Sequence, residues 1–208
     1  MRHELSASNP DHEELLHRLY EAAAVDLRGS GESFRMGSGK PATWALDLRR
    51  PLLTSSLLAA TAGMLAAHLA ERGVTQVAGR GMGAAPLVCA VVAQGTGIDG
   101  VLVRERPKER GFARPYEGAL DAEREVWLLD DVVNSGKTTA ALALLLRAEG
   151  FAVHRSLCLF HYAWGDGRAR LRRHGVELEP LATLARRDRS VFSRKLLSRF
   201  DPAAAGGS

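Results

Sequence analysis

Cysteine is scarce in this chain of 208 residues, which carries two, Cys89 and Cys158. Each lies in an apolar run (LVCAVV, SLCLF), so both read as buried free thiols of a reducing compartment. That scarcity excludes a disulfide scaffold, and the cysteine and histidine spacing offers no zinc site. Long, strongly apolar runs are also lacking. Leu52–Ala70 comes nearest, but it is alanine-rich and carries Thr54, Ser55, Ser56, Thr61 and His68, which suits a buried helix better than a bilayer span. The opening residues MRHELSASNPDHEELL lack the apolar core of a secretory signal. No membrane association is expected, and the expected location is cytoplasmic. A large excess of one charge is missing too: 28 Lys and Arg face 24 Asp and Glu, a net +4. So mild an excess suits nucleic acid, a membrane surface or a phosphorylated small molecule equally, and its placement matters more than its sum. With 46% hydrophobic and 25% charged residues, the composition is that of a globular protein able to bury a sizeable core.

The apolar spacing organises the chain. Leu15, Leu16, Leu19, Tyr20 and Ala23 repeat at helical intervals over residues 11–27, with Pro10 suited to the first turn. Residues 29–40 (GSGESFRMGSGK) read as a loop or short hairpin. Thr54 can cap a helix running to about Arg72, with His68 on its apolar face as a packed, satisfied histidine. Beyond it, short apolar runs at 74–78, 101–103, 125–131 and 153–160 alternate with helical segments. One of these segments opens at Pro86 and another covers 138–149, closed by Gly150. That cadence predicts an α/β fold with a parallel sheet and helices on both faces. Ligands of such sheets sit beyond the carboxyl ends of the strands. No internal repeat or linker is visible, residues 201–208 read as a disordered tail, and the basic stretch 186–199 could form a helix.

The most informative segment is residues 126–139, VWLLDDVVNSGKTT. A buried strand ends on Asp130 and Asp131, and a small polar loop opens a helix. Backbone N–H groups from Asn134 to Thr138, at a helix N-terminus, can cradle a phosphate. The two acids can bind ribose hydroxyls or act through a magnesium ion, an oxygen-seeking cation. The GKT sequence does not make a Walker-type P-loop, because the glycine required five positions before Gly136 is Asp131. In GRGMG (79–83) the glycines allow close backbone approach to a ligand and Arg80 adds a donor; a plain strand-to-helix turn is the alternative. The basic segment 104–118 (RERPKERGFARPYEG) suits a lid over an anionic ligand, or a solvated surface loop.

Residues 128–138 (LLDDVVNSGKT) resemble the signature of the type I phosphoribosyltransferases. Three further segments are similar to orotate phosphoribosyltransferases: 34–47 (FRMGSGKPATWALD), 79–84 (GRGMGA) and 104–111 (RERPKERG). The resemblance implies the type I phosphoribosyltransferase fold, with a core of about residues 54–165 and a small hood from 1–53 and 166–200 in one domain. It implies magnesium-dependent transfer of the 5-phosphoribosyl group from phosphoribosyl pyrophosphate (PRPP) to a nitrogen acceptor, an orotate-like pyrimidine, with release of pyrophosphate. The implied PRPP site comprises Asp130, Asp131, Val132, Val133, Asn134, Ser135, Gly136, Lys137 and Thr138, with Arg80, Gly81, Arg104, Lys108 and Arg110. Lys108 and Asp131 are the implied catalytic pair, and Asp130 and Asp131 contact the metal indirectly, through Mg-PRPP. Lys40, Trp44, Asn134 and His161 are the implied acceptor contacts. Trp44 could equally be a core aromatic, and His161 a structural histidine. A lid that reaches the neighbouring subunit's site implies a homodimer.

Several positions depart from the family pattern. Glu105 and Arg110 replace a lysine and a histidine of the lid, Gly37 precedes SGK, Ala45 and Leu46 stand where stacking aromatics occur, and the run 160–162 (Phe-His-Tyr) contains no arginine. These changes leave the PRPP half of the site more fully kept than the acceptor half. They keep two alternatives open: a non-catalytic sensor of PRPP or a nucleotide, and transfer to a different base. Nucleic acid is not an expected partner, since 186–199 mixes its charges with Val191, Phe192, Leu196 and Leu197 as a docked amphipathic helix would.

Overall fold

The apolar runs become strands of one sheet. The computed structural model describes residues 10–26, 44–104 and 114–184. Its six-stranded sheet contains β3 (Gln76–Arg80), β4 (Asp99–Val103), β5 (Tyr116–Glu117), β6 (Trp127–Val133), β7 (Arg155–Tyr162) and β8 (Glu177–Leu184), in the spatial order β5-β4-β3-β6-β7-β8. All neighbouring pairs are parallel except β4 with the antiparallel edge strand β5. Val126, Leu128 and Leu129 are almost wholly buried, as a parallel strand covered on both faces requires.

Helices α2 (Ser55–Ala70) and α3 (Gly81–Val92) cover one face, while α4 (Lys137–Ala148) and α5 (Gly167–Arg173) cover the other. Helix α1 (Pro10–Ala23) packs Leu15, Leu16, Leu19 and Tyr20 into the core on the α2–α3 face. It leads into a two-stranded antiparallel ribbon, β1 (Ala24–Asp26) with β2 (Trp44–Leu46). Successive strands leave β3 in one direction and β6 in the other. The order therefore reverses between these two strands, and their carboxyl ends border the crevice where such sheets bind ligands.

The expected helices and strands form, with boundaries moved by a few residues. The helix expected from Pro86 starts instead at Gly81, and Pro86 lies inside it. Gly81 adopts φ 83°, a turn open to glycine that lets the chain enter the helix directly off the strand. Cys158 is buried as expected, but Cys89 is exposed, because it falls on the solvent side of α3 although its neighbours in sequence are apolar. Thr54 stands at the N-cap of α2 without a capping hydrogen bond from its side chain. His68 is satisfied: its Nε2 lies 2.9 Å from Glu179 Oε1, tying α2 to β8. The sheet continues past residue 165, where the sequence reading ends the core, since β8 pairs along the whole of β7. The loop at 29–40, most of the basic lid (105–113) and the tail from 185 onward lie outside the described residues. No described helix is long and apolar enough to cross a membrane.

The buried Gln76 side chain ties the chain before β6 to β3. Its Nε2 donates to the carbonyls of Asp121 (3.0 Å) and Arg124 (3.2 Å), and its Oε1 accepts from the Asp121 N–H at 2.6 Å. Gln76→Ala leaves these partners without their bonds and should destabilise the fold by about 2 kcal/mol, read as a lower midpoint in urea unfolding.

Candidate active site

Asp130 and Asp131 occupy the strand of β6 that borders the reversal, and consecutive strand residues point to opposite faces. Asp130 turns toward α4, where its Oδ2 accepts a hydrogen bond from the Thr139 hydroxyl at 3.0 Å. Asp131 turns toward α3. A Cβ on Gly83 would lie 2.5 Å from the Asp131 carboxyl atoms, so only glycine permits that contact. The pair also folds on itself: Asp130 Oδ1 accepts the Asp131 N–H at 3.0 Å, and Asp131 Oδ1 accepts the Val132 N–H at 2.8 Å. Burial and the neighbouring Asp131 carboxylate raise the Asp130 pKa from 3.8 to about 8. Burial raises Asp131 as well, partly opposed by backbone N–H donation and by Arg49. Two acids held above their ordinary range favour a cation or hydroxyl groups beside them.

The loop after these acids is held from behind. Gly136 is the N-cap of α4 at φ 65°, with no side chain capping the helix. A Cβ there would lie 2.9 Å from the Gly167 carbonyl oxygen, so the αL turn is also a close packing point. Gly165 and Gly167 lie against Asn134 in the same way. Arg170 Nε, one turn into α5, donates to the Ser135 carbonyl at 2.7 Å. This support leaves the start of α4 open, and the helix dipole makes that end receptive to an anion.

Across the crevice, Arg80 ends β3 in extended conformation and Gly81 opens α3. The acidic tip, the loop at 132–138 and the Arg80–Gly83 turn therefore converge as expected. Lys137 and Thr138 are exposed at the mouth, and Val133 packs into the core. Arg104, expected in the lid, pairs with Glu117 across the β4–β5 edge. Lys40, Lys108 and Arg110 lie outside the described residues. Trp44 is placed by its backbone on β2, opposite Asp26.

His161 does not reach the open side of the tip. Its register neighbour Val133 belongs to the α4–α5 core. The imidazole is 4% exposed, with no hydrogen-bond partner for either nitrogen. Burial, with the positive charge of Arg168, lowers its pKa to about 4, so the ring is neutral.

The sequence reading missed Tyr162, Trp164, Asp47 and Arg49 on the other side. Tyr162 stacks on Trp164, with centroids 4.8 Å apart and planes at 22°. The Leu46 N–H donates to the Tyr162 hydroxyl, and burial together with Tyr20 and Asp131 raises that hydroxyl's pKa. This bond ties β2 over the tip of β7. Beyond it, Arg49 forms a two-pronged pair with Asp47, at 2.7 and 3.0 Å. An aromatic next to an apolar strand end is a usable signal in sequence, whereas the reach of Arg49 toward Asp131 depends on how the ribbon packs.

No family model matches the sequence. The chain is 31% identical over 171 residues to the orotate phosphoribosyltransferase of Halobacterium salinarum, covering 82% of this chain and 93% of that protein. The orotate phosphoribosyltransferase of Mycobacterium tuberculosis H37Rv superposes with a TM-score of 0.70 at 23% identity, over 84% of this chain and 97% of that one. A crystal structure of the same mycobacterial enzyme with PRPP gives a TM-score of 0.66 at 19% identity, over 88% and 96%.

The raised Asp130 pKa has a consequence for stability. An aspartate raised from 3.8 to about 8 stabilises the fold fully below its unfolded pKa, and this contribution is lost as the pH climbs through the folded value. Asp130→Asn has no such loss. The stability of the variant relative to the parent should therefore rise between pH 5 and pH 8 in parallel urea titrations. An unchanged difference would contradict the burial cost.

Proposed function

The chain belongs to the orotate phosphoribosyltransferase family, and from that membership we propose that it transfers the 5-phosphoribosyl group of PRPP to a ring nitrogen of orotate. The observation that carries this reading is the convergence at one sheet reversal of a paired acidic tip, an open helix N-terminus and an arginine–glycine turn. The start of α4 and the hydroxyls of Ser135 and Thr138 take the 5-phosphate. Asp130 and Asp131 take the ribose hydroxyls, and Arg80 with the Gly81 backbone takes the pyrophosphate. The ribose C1–oxygen bond breaks toward pyrophosphate, the acceptor nitrogen bonds to C1, and that nitrogen's proton leaves to solvent or a phosphate oxygen. Asp131 faces the cationic ribose that develops, and its negative charge stabilises it.

No group of three metal-binding side chains occurs among the described residues. Asp130 and Asp131 turn to opposite faces, so they would hold a magnesium ion indirectly, by binding the ribose hydroxyls of a PRPP that carries the ion on its phosphates. Brought in with PRPP, such an ion would supply charge neutralisation at the departing pyrophosphate. Lys108, Arg104 and Arg110 close over the same oxygens, with Lys108 contributed by a second subunit of a homodimer. Lys40, Trp44 and Asn134 line the acceptor side.

The purified chain with PRPP, orotate and Mg2+ should release pyrophosphate, and chelation by EDTA should abolish it; no release with orotate would refute the reading. Asp131→Asn should lower kcat by about 10²-fold with its unfolding midpoint preserved. Gly83→Ala, which pushes the Asp131 carboxyl aside, should lower kcat/KM by a similar factor, about 10².

The shared site has its own test. Lys108→Ala and Asp131→Asn should each be nearly inactive. Mixed and re-equilibrated, they should regain a fraction of parental activity, because one of the two sites in a mixed dimer is intact. Absence of any regain would remove the two-subunit site.

A further inference from the structure

Orotate carries a carboxylate, and the proposed function sets the acceptor beside the ribose that Asp131 holds. An anionic acceptor brought close to that aspartate needs a cation on its far edge. The ribbon β1–β2 supplies one. Asp47 follows β2 directly, and its N–H donates to the Ala23 carbonyl at 2.8 Å. Its Oδ1 accepts the Arg49 N–H at 3.2 Å and Nε at 2.7 Å, while Oδ2 accepts Nη2 at 3.0 Å. Two contacts thus hold the guanidinium on its Nε–Nη2 edge, and the two backbone bonds anchor the carboxylate that holds it. A guanidinium has a second edge, Nη1 with the remaining Nη2 hydrogen, suited to a second carboxylate.

This edge lies at the surface, since the Arg49 side chain is 63% exposed against 27% for Asp47. An exposed ion pair contributes little to stability, so a side chain oriented this firmly has little structural reason for its geometry. Arg49 stands three residues beyond Leu46, whose bond to the Tyr162 hydroxyl seats the ribbon over the tip of β7, and its positive charge helps hold down the Asp131 pKa against burial. The Tyr162 hydroxyl, bonded to the Leu46 backbone beside Asp47, and its stacked partner Trp164 provide an aromatic wall next to it.

We propose that Arg49, oriented by Asp47, is the specificity-determining residue that receives the acceptor's carboxylate, with Asp131 holding the ribose at the other end. This inference rests on orotate as the acceptor. It assigns recognition of the anion to the ribbon over the site rather than to the tip of β7, where Tyr162 stands.

Steady-state kinetics on the full chain test it. Arg49→Gln should raise KM for orotate by about 30-fold, with KM for PRPP changed less than about twofold and the unfolding midpoint unchanged. Arg49→Lys, which keeps the charge but loses the two-pronged geometry, should recover part of that loss. Asp47→Asn, which releases the guanidinium from its fixed orientation, should raise KM for orotate less than Arg49→Gln does. Equal losses toward orotate and PRPP would show a structural role and overturn the proposal, as would no change in either. A parent protein inactive with orotate would instead refute the proposed function itself, a separate outcome read before any variant is made.

Discussion

Two carboxylates on consecutive residues at the end of a buried strand are an unfavourable arrangement. Water is largely excluded, the charges repel, and the sheet around them is apolar. Much of the site answers that problem. The pleat sends Asp130 to the α4 side and Asp131 to the α3 side, which separates the charges without moving the backbone. Thr139 serves the first, and two backbone N–H groups partly serve the pair. What is left is a demand for positive charge or hydroxyl donors from outside, and on that demand the proposed binding site at the tip rests. A ribose carrying phosphates, with a divalent cation, meets both requirements.

Close packing then fixes where the ligand's charges can go. The loop after the acids is pressed between the strand and the start of α5. Gly136, Gly165 and Gly167 occupy places where a Cβ would strike backbone. On the other side Gly83 fits against Asp131 with no room for a methyl group. Interiors packed at this density resist adjustment. The open helix start and the acidic tip therefore keep a fixed separation, as the proposed function requires of a site that takes the phosphate and the ribose of one ligand. Arg170 reinforces this by holding the Ser135 carbonyl from behind. A residue far from the chemistry thereby contributes to the shape of the cradle.

The parts legible in sequence were those coded by neighbours along the chain. The run 126–139 contains strand, acids, loop and helix start in one stretch, so its local chemistry and its place in the fold agree. The alternation of short apolar runs with helices likewise determined the parallel sheet. What escaped was coded by packing. Cys89 looked buried because its sequence neighbours are apolar, yet a helix exposes one side regardless of such a run. The family resemblance implies an acceptor contact for His161 and its place at a strand end a structural histidine; the pleat turns it to the α4–α5 side, where it is buried. Helix α3 starts five residues before Pro86 because Gly81 can adopt a positive φ directly after the strand. Proline's preference for first turns was the weaker constraint.

The two halves of the site differ in kind, and the difference follows from where each is built. The phosphate half is made by consecutive residues of one strand–loop–helix unit, whose geometry is set by the sheet. The acceptor half is assembled from parts distant in sequence: a ribbon after α1, the tip of β7 and the turn beyond it. The Leu46–Tyr162 bond seats the ribbon on the tip of β7, and the Tyr162–Trp164 stack joins that tip to the turn beyond it. Such a surface can exchange a cation at one position for a cation at another without disturbing the sheet. An aromatic at the β7 tip is therefore compatible with a carboxylate-bearing acceptor, provided the ribbon delivers the charge. Arg49 meets that condition because Asp47, anchored to the Ala23 carbonyl, fixes its direction before any ligand arrives, which lowers the ordering cost of binding.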